Sequence, residues 1–149
     1  MTTATNEKID ELTFVRIKDR RLVKLIPREL IENVKGRTFT PEQFYKYQES
    51  QIDNPYNHLY VLVDDAKKIH GYLWAEINIL DESLFVNTFS IGKEYWGKGK
   101  AMPKAIEFVS QVKQKTKSPR VFWISSNDKF FMKHGFTRSK NVLLEYNKE

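Results

Sequence analysis

Residues Tyr95-Trp96-Gly97-Lys98-Gly99-Lys100-Ala101 decide how this chain is read. Before them, Leu84 to Ile91 has the composition of a strand. After them, Ala105, Ile106, Val109 and Val112 recur at helical spacing, and Pro103 falls in the first turn, where a missing amide hydrogen costs little. A turn from strand to helix leaves backbone amides unpaired at the positive end of the helix dipole. Gly97 and Gly99 let the backbone approach an anion, and Lys98, Lys100 and Lys104 add positive charge. The segment therefore suits a pyrophosphate. The competing reading is an ordinary turn carrying solvated lysines. Its spacing is neither that of a Walker loop nor that of a dinucleotide fingerprint.

Outward from this loop, the rest of the chain reads as alternating elements of one domain. Phe14, Val15 and Ile17 suggest a first strand. Leu22, Leu25, Ile26, Leu30, Ile31 and Val34 fit one helix stopped at Gly36. Thr40-Pro41-Glu42 starts a second helix, rich in aromatic residues through Phe44, Tyr45 and Tyr47. Leu59 to Val63, Ile69 to Leu80 and Leu84 to Ile91 read as three strands joined by polar turns at Asp64-Asp65 and Asp81-Glu82-Ser83. The middle strand places Tyr72, Trp74, Glu76 and Asn78 on one face by its period of two. Beyond the loop's helix, Ser118-Pro119 is a break, Val121 to Ile124 a buried strand, and Asn127 or Asp128 to His134 a short helix stopped by Gly135. Val142, Leu144 and Tyr146 alternate as a last strand. The expected order is β-α-α-β-β-β-α-β-α-β, an α+β domain with one mixed, mostly antiparallel central sheet flanked by helices.

Composition narrows the function. A chain of 149 residues is the size of one domain, and at 40% hydrophobic and 13% aromatic residues it can bury a core. We expect a flexible tail over residues 1–10 and a single domain over 11–149. The longest unbroken apolar run, Leu59 to Val63, is too short to cross a bilayer, and the polar, acid-bearing start is unlike a targeting segment. The expectation is a soluble, cytoplasmic protein with no membrane partner. There is no cysteine, which excludes a disulfide, a thiol nucleophile and a cysteine metal site. Three histidines, at positions 58, 70 and 134, are a poor basis for a metal site of their own. Between Lys93 and Lys117 seven lysines stand against two glutamates, which is +5 of the chain's net +6. So concentrated a charge implies an anionic partner, either a phosphorylated cofactor or a nucleic acid.

The loop together with a downstream motif resembles the GNAT superfamily of acetyl-CoA-dependent N-acetyltransferases. The family's phosphate loop has an arginine or glutamine, two residues, glycine, one residue, then glycine or alanine. Trp96-Gly97-Lys98-Gly99-Lys100-Ala101 is similar at all but the first position. The family's asparagine, phenylalanine-tyrosine and glycine-phenylalanine are matched by Asn127, Phe130-Phe131 and Gly135-Phe136. The resemblance runs from about Phe14 to Tyr146. It implies acetyl-CoA as cofactor, held in an opening between the strand ending at Ile91 and the strand from Val121 to Ile124. Backbone groups of Phe89 and Ile91 would hold the pantetheine arm and polarise the thioester, the amides of Lys98, Gly99, Lys100 and Ala101, in the loop opened by Gly97, would hold the pyrophosphate, and Asn127 would bond the arm from the opposite wall. Two positions depart from the pattern. Trp96 replaces the arginine or glutamine, and Phe131 replaces the tyrosine that often protonates the leaving thiolate.

Acetylating an amine needs a group to take a proton from the incoming ammonium. Glu76, flanked on its strand face by Trp74 and Asn78, is the candidate base, against the reading of a solvent-facing strand glutamate. Asp81 and Glu82 read first as turn residues, and His70 as a surface residue. Ser90 and Thr88 share a strand face and could bond a substrate. Of Tyr45, Tyr47, Tyr56 and Tyr60, which fall where the family builds its substrate wall, half are expected in the core. The leading expectation is acetyl transfer to a small-molecule or protein amine, with a homodimer left open. The alternatives are a non-catalytic structural or binding protein on the same fold, for which phage-encoded proteins are a precedent, and a nucleic-acid-binding domain. The last is weakly supported, since no aromatic platform interleaves with Lys113, Lys115 and Lys117.

Overall fold

The structure, a computed structural model, describes residues 9–123 and 128–139. Five strands form one sheet in the order β1-β2-β3-β4-β5: β1 (Thr13–Arg16), β2 (Asn57–Val63), β3 (Ile69–Ile77), β4 (Leu84–Ile91) and β5 (Val121–Trp123). The first four pair antiparallel and β5 runs parallel to β4. The helices are α1 (Arg28–Glu32), α2 (Pro41–Gln51), α3 (Ala101–Thr116) and α4 (Asp128–Lys133). This is the α+β arrangement expected, a mostly antiparallel sheet flanked by helices. The last expected strand, Val142 to Tyr146, lies outside the described residues.

Both faces of the sheet are covered. On one face Leu30 and Ile31 of α1 and Phe44 of α2 pack on Leu59, Val61, Val63 and Tyr72. On the other, Ala105, Val109 and Val112 of α3 pack on Leu73, Ala75, Leu84 and Val86. Double coverage explains why β2 is apolar through its middle rather than alternating, and why every residue of it is buried. Each valine, leucine, isoleucine or phenylalanine among them contributes about 1.5–3 kcal/mol when fully buried.

The helix expected across Leu22 to Val34 is two pieces. A 3-10 segment covers Arg20–Leu25, and α1 begins only at Arg28. Pro27 is the cause, because its ring pushes the preceding residue out of the helical region, and Ile26 has ψ 120°. The break also turns Leu22 and Leu25 outward, to 43% and 61% exposure. The start of α2 follows the sequence closely. Gln43 N–H donates to Thr40 Oγ1 at 3.1 Å and Thr40 N–H donates to Gln43 Oε1 at 2.8 Å, a reciprocal cap.

One irregularity shapes the site. Trp74 pairs with Thr88 while Ala75 pairs with Val86, so Asn87 is an extra residue in β4. Such a bulge bends its strand and re-aims side chains. Pairing between β4 and β5 covers Leu84 to Val86, at the start of β4.

Candidate functional site

The loop after β4 is built from backbone conformation more than from side chains. Gly97 and Gly99 have φ of 73° and 71°, and a Cβ added at either would meet nothing within 4 Å. What glycine supplies here is the left-handed backbone, which costs other residues roughly 1–2 kcal/mol. The N-cap residue of α3, Lys100, makes no side-chain cap bond, and the first turn holds no acid. The first bond into that helix is Lys104 N–H to Lys100 O, so the amides of Ala101 and Met102 precede the helix ladder and Pro103 offers none. Tyr95 is buried and anchors the loop from behind. The indole N–H of Trp96 donates to the carbonyl of Ile91 at 2.9 Å, and Lys93 Nζ lies 5.8 Å from its ring centroid. Lys100 makes a long ion pair with Asp10 at 3.6 Å, both exposed and worth little.

A cavity of about 490 Å³ opens beside this loop. Phe89, Ser90 and Ile91 of β4 form one wall, and Gly97, Gly99 and the start of α3 form another. Asn33 to Lys35, after α1, and Phe130 of α4 close it. The structure thus brings together Phe89, Ile91, Gly97, Gly99 and Ala101 of the expected cofactor residues. Lys98 and Lys100 are exposed beside the cavity and do not line it. Asn127 lies outside the described residues.

The aromatic pair on α4 divides differently from the family pattern. Phe130 lines the cavity, whereas Phe131 is 7% exposed and packs on Trp123 and Phe136 with centroids 5.1 and 5.2 Å away. Phe131 is therefore a core residue, and Phe130 is the α4 ring that meets the cleft.

Glu76, the candidate base, lies outside the lining of that cavity, beside the β4 bulge. Tyr47 of α2 donates its hydroxyl to Glu76 Oε2 at 2.6 Å, and Asn87 at the bulge donates from Nδ2 to Oε1 at 2.7 Å. Tyr47 is exposed as a residue, but partial desolvation of its phenol, and then the bond to Glu76, push that group up to about 12. Trp74 stands next to this corner, its ring 5.4 Å from that of Tyr47. It is fixed by a chain of bonds in which Trp74 Nε1 donates to Asn57 Oδ1 at 2.8 Å and Asn57 Nδ2 donates to Gln48 Oε1 at 2.9 Å. Sequence reasoning did not single out Asn87. Its signal was the adjacent polar pair Asn87-Thr88, which breaks the strand's alternation as a bulge does.

Asp81, His70 and Ser90 are engaged in bonds within the fold. Asp81 accepts from Ser83 N–H at 2.9 Å and pairs with Arg120 at 3.1 Å, so it holds the β3–β4 turn. Those bonds keep its carboxyl below the usual range, the Ser83 amide foremost. His70 is not the surface residue expected. Its side chain is 14% exposed, and Nε2 lies 2.9 Å from Asp64 Oδ2 because the β2–β3 turn folds Asp64 back onto it. Ser90 donates to the carbonyl of Leu30 at 2.6 Å and ties β4 to α1. Of the four tyrosines, Tyr60 is buried and Tyr45 half-buried, bonding the carbonyl of Ile26, while Tyr47 and Tyr56 are exposed. Among the described residues no group of histidine, aspartate and glutamate side chains is arranged to hold a metal, and no helix is long and apolar enough to cross a membrane.

No family model matches this sequence, and no curated protein matches it. Solved structures match its fold. A possible acetyltransferase from Clostridium difficile 630 superposes with a TM-score of 0.71 at 10% identity, covering 93% of this chain and 98% of that one. AAC(6')-Iy, solved in complex with the bisubstrate analogue CoA-S-monomethyl-acetylneamine, gives 0.70 at 11% identity, covering 92% and 98%. A dodecameric spermidine N-acetyltransferase from Vibrio cholerae gives 0.69 at 16% identity, covering 92% and 85%. The architecture they share with this chain is the GNAT acetyltransferase fold.

Proposed function

We propose that this chain moves an acetyl group from acetyl-CoA to an amine by direct attack, with no covalent enzyme intermediate. The observation that carries the reading is the cavity between β4 and the start of α3, which joins an apolar strand wall to a glycine loop with unpaired amides. Its residues fit the cofactor. Phe89 and Ile91 would lie along the pantetheine arm, and the amides from Gly99 to Met102, with Lys98 and Lys100 nearby, would hold the pyrophosphate. The carbonyl of Ile91 already accepts one bond from Trp96, so only its second lone pair is left for the arm. Asn127 belongs to the same proposal, on the facing wall.

Bound acetyl-CoA supplies a thioester carbonyl and a thiolate leaving group. Glu76 takes a proton from the incoming ammonium, directly or through water, and frees the lone pair that attacks. A C–N bond forms and the C–S bond breaks. Of the two protons the ammonium loses, one ends on the sulfur and the other reaches solvent. A thiol with pKa near 8.5 can take its proton from water. The acceptor is an amine on a small molecule or a protein, in the cytoplasm. A homodimer or larger assembly belongs to the same reading, supported by the dodecamer formed by the spermidine enzyme of the same fold.

Phe131 favours a second reading, a binding protein that does no chemistry, because α4 presents no phenol to a leaving thiolate. Thermal shifts with acetyl-CoA and with duplex DNA, followed by thiol release across a panel of amines, separate these. Stabilisation by acetyl-CoA, none by DNA, and thiol release with at least one amine are expected. Binding without release selects the second reading, and no binding overturns both.

A further inference from the structure

Position 96 is where this chain departs from the arginine or glutamine of the phosphate-loop pattern, and the departure keeps one property. Arginine, glutamine and tryptophan all carry an N–H at the ε position, the same number of bonds from Cα. Here that donor is directed at the backbone. Trp96 Nε1–H donates to the carbonyl of Ile91, the last residue of β4, at 2.9 Å. The 3-10 turn over Lys93–Tyr95 makes the reach possible, because it folds the chain back over the end of the strand it has just left.

The accepting carbonyl is one that strand pairing leaves over. Gly92 donates its amide to the carbonyl of His70 on β3 at 2.9 Å, so alternation along an antiparallel strand turns the carbonyl of Ile91 the other way. On that side β5 pairs only with Leu84 to Val86, and among the described residues no strand stands opposite Ile91. Ile91 is buried, and a buried carbonyl needs a donor. The indole supplies it. Both residues also line the cavity, Ile91 in the strand wall and Trp96 at the entrance to the glycine loop, so the bond ties one wall to the other.

We propose that Trp96 is a positioning residue for the cofactor, its indole N–H standing in for the missing strand partner of Ile91 and fixing the glycine loop at a set distance from the β4 wall. The inference rests on the acetyl-CoA reading and deepens it. A ligand that meets both walls at once binds best when their separation is set before it arrives. The property this position requires is the ε donor and not the ring. The ring is 47% exposed, so the core does not depend on it.

The test is calorimetry with two ligands, acetyl-CoA and 3′-phosphoadenosine 5′-diphosphate, the nucleotide half of the cofactor without its pantetheine arm. Trp96→Phe keeps an aromatic ring and loses the N–H, whereas Trp96→Gln loses the ring and keeps an ε N–H. Trp96→Phe should weaken acetyl-CoA about threefold to tenfold, the size of one net hydrogen bond, and leave the nucleotide within about twofold. Trp96→Gln should restore most of the acetyl-CoA affinity, and circular dichroism confirms the fold of both variants. Full acetyl-CoA affinity in Trp96→Phe, or a loss in Trp96→Gln as large as in Trp96→Phe, overturns the inference, since the donor is then not what matters. Equal loss of both ligands in Trp96→Phe overturns it as well, because the residue then builds the loop without setting its distance from β4. Each of these failures leaves the cofactor reading standing. Wild type that does not bind acetyl-CoA removes that reading, and this inference with it.

Discussion

The glycine loop at residues 95–101 and the Glu76 corner are built by opposite means. The loop spans seven consecutive residues, and its shape is set by two left-handed glycines ahead of the helix start. The corner draws Tyr47 from α2, Glu76 from β3 and Asn87 from β4, and every contact that defines it is between side chains. A backbone site tolerates changes in its exposed side chains and fails when its dihedral angles fail. A side-chain site fails one hydrogen bond at a time. Three experiments press on that difference.

The largest effect is expected at Gly99. At φ 71° a glutamate is strained, and its charge opposes the anion the amides would hold. Gly99→Glu should weaken acetyl-CoA binding about a hundredfold or more, roughly 3 kcal/mol, with the fold intact by circular dichroism. Thermal shift against acetyl-CoA reads it, and unaltered stabilisation would relocate the phosphate site.

Next comes pH, acting under the corner and not under the loop. His58 pairs with Ala75 in the strand that carries Glu76, is 5% exposed, and bonds Tyr60 and the carbonyl of Pro55 through its two ring nitrogens. Burial first, then the Arg16 charge, push it down to about 4. The unfolded chain therefore takes up this proton near pH 6.5 while the native state resists it until about pH 4. Stability is full above the unfolded value and declines as pH falls through that window, by about 3 kcal/mol at most. Denaturant melts at pH 7 and 4.5 measure the decline, and His58→Gln should flatten most of it. An equal slope in the variant would assign the acid sensitivity to other groups.

The smallest effect belongs to the loop's lysines. Lys98→Ala and Lys100→Ala should each weaken acetyl-CoA binding about twofold to fivefold at low salt and hardly at all at high salt, since exposed charges are screened. A loss independent of ionic strength would mean that these side chains act by contact, and the loop would then resemble the corner more than its backbone suggests.

The two regions were unequally legible for a physical reason. Glycine, proline and helical spacing act within a few residues, so the loop, the cap at Thr40 and the stop at Gly135 could be read in order along the chain. The face of β3 carrying Tyr72, Trp74 and Glu76 followed from a period of two. The break at Pro27 was also local, yet the apolar spacing on either side outweighed it in the reading and the structure reversed that. The burial of His70 against Asp64 and the turn of Phe131 into the core depended on what packs behind them.

By itself, then, the sequence determined the fold class, the glycine turn from strand to helix and the face on which a carboxylate stands, because each follows from local conformational preference and periodicity. Only the tertiary structure decided that Tyr47 and Asn87 hold that carboxylate, that Phe130 and not Phe131 meets the cleft, and that Trp96 bonds Ile91. Register across strands and the docking of helices join residues far apart in the chain, and no short-range preference encodes which side chains will meet there.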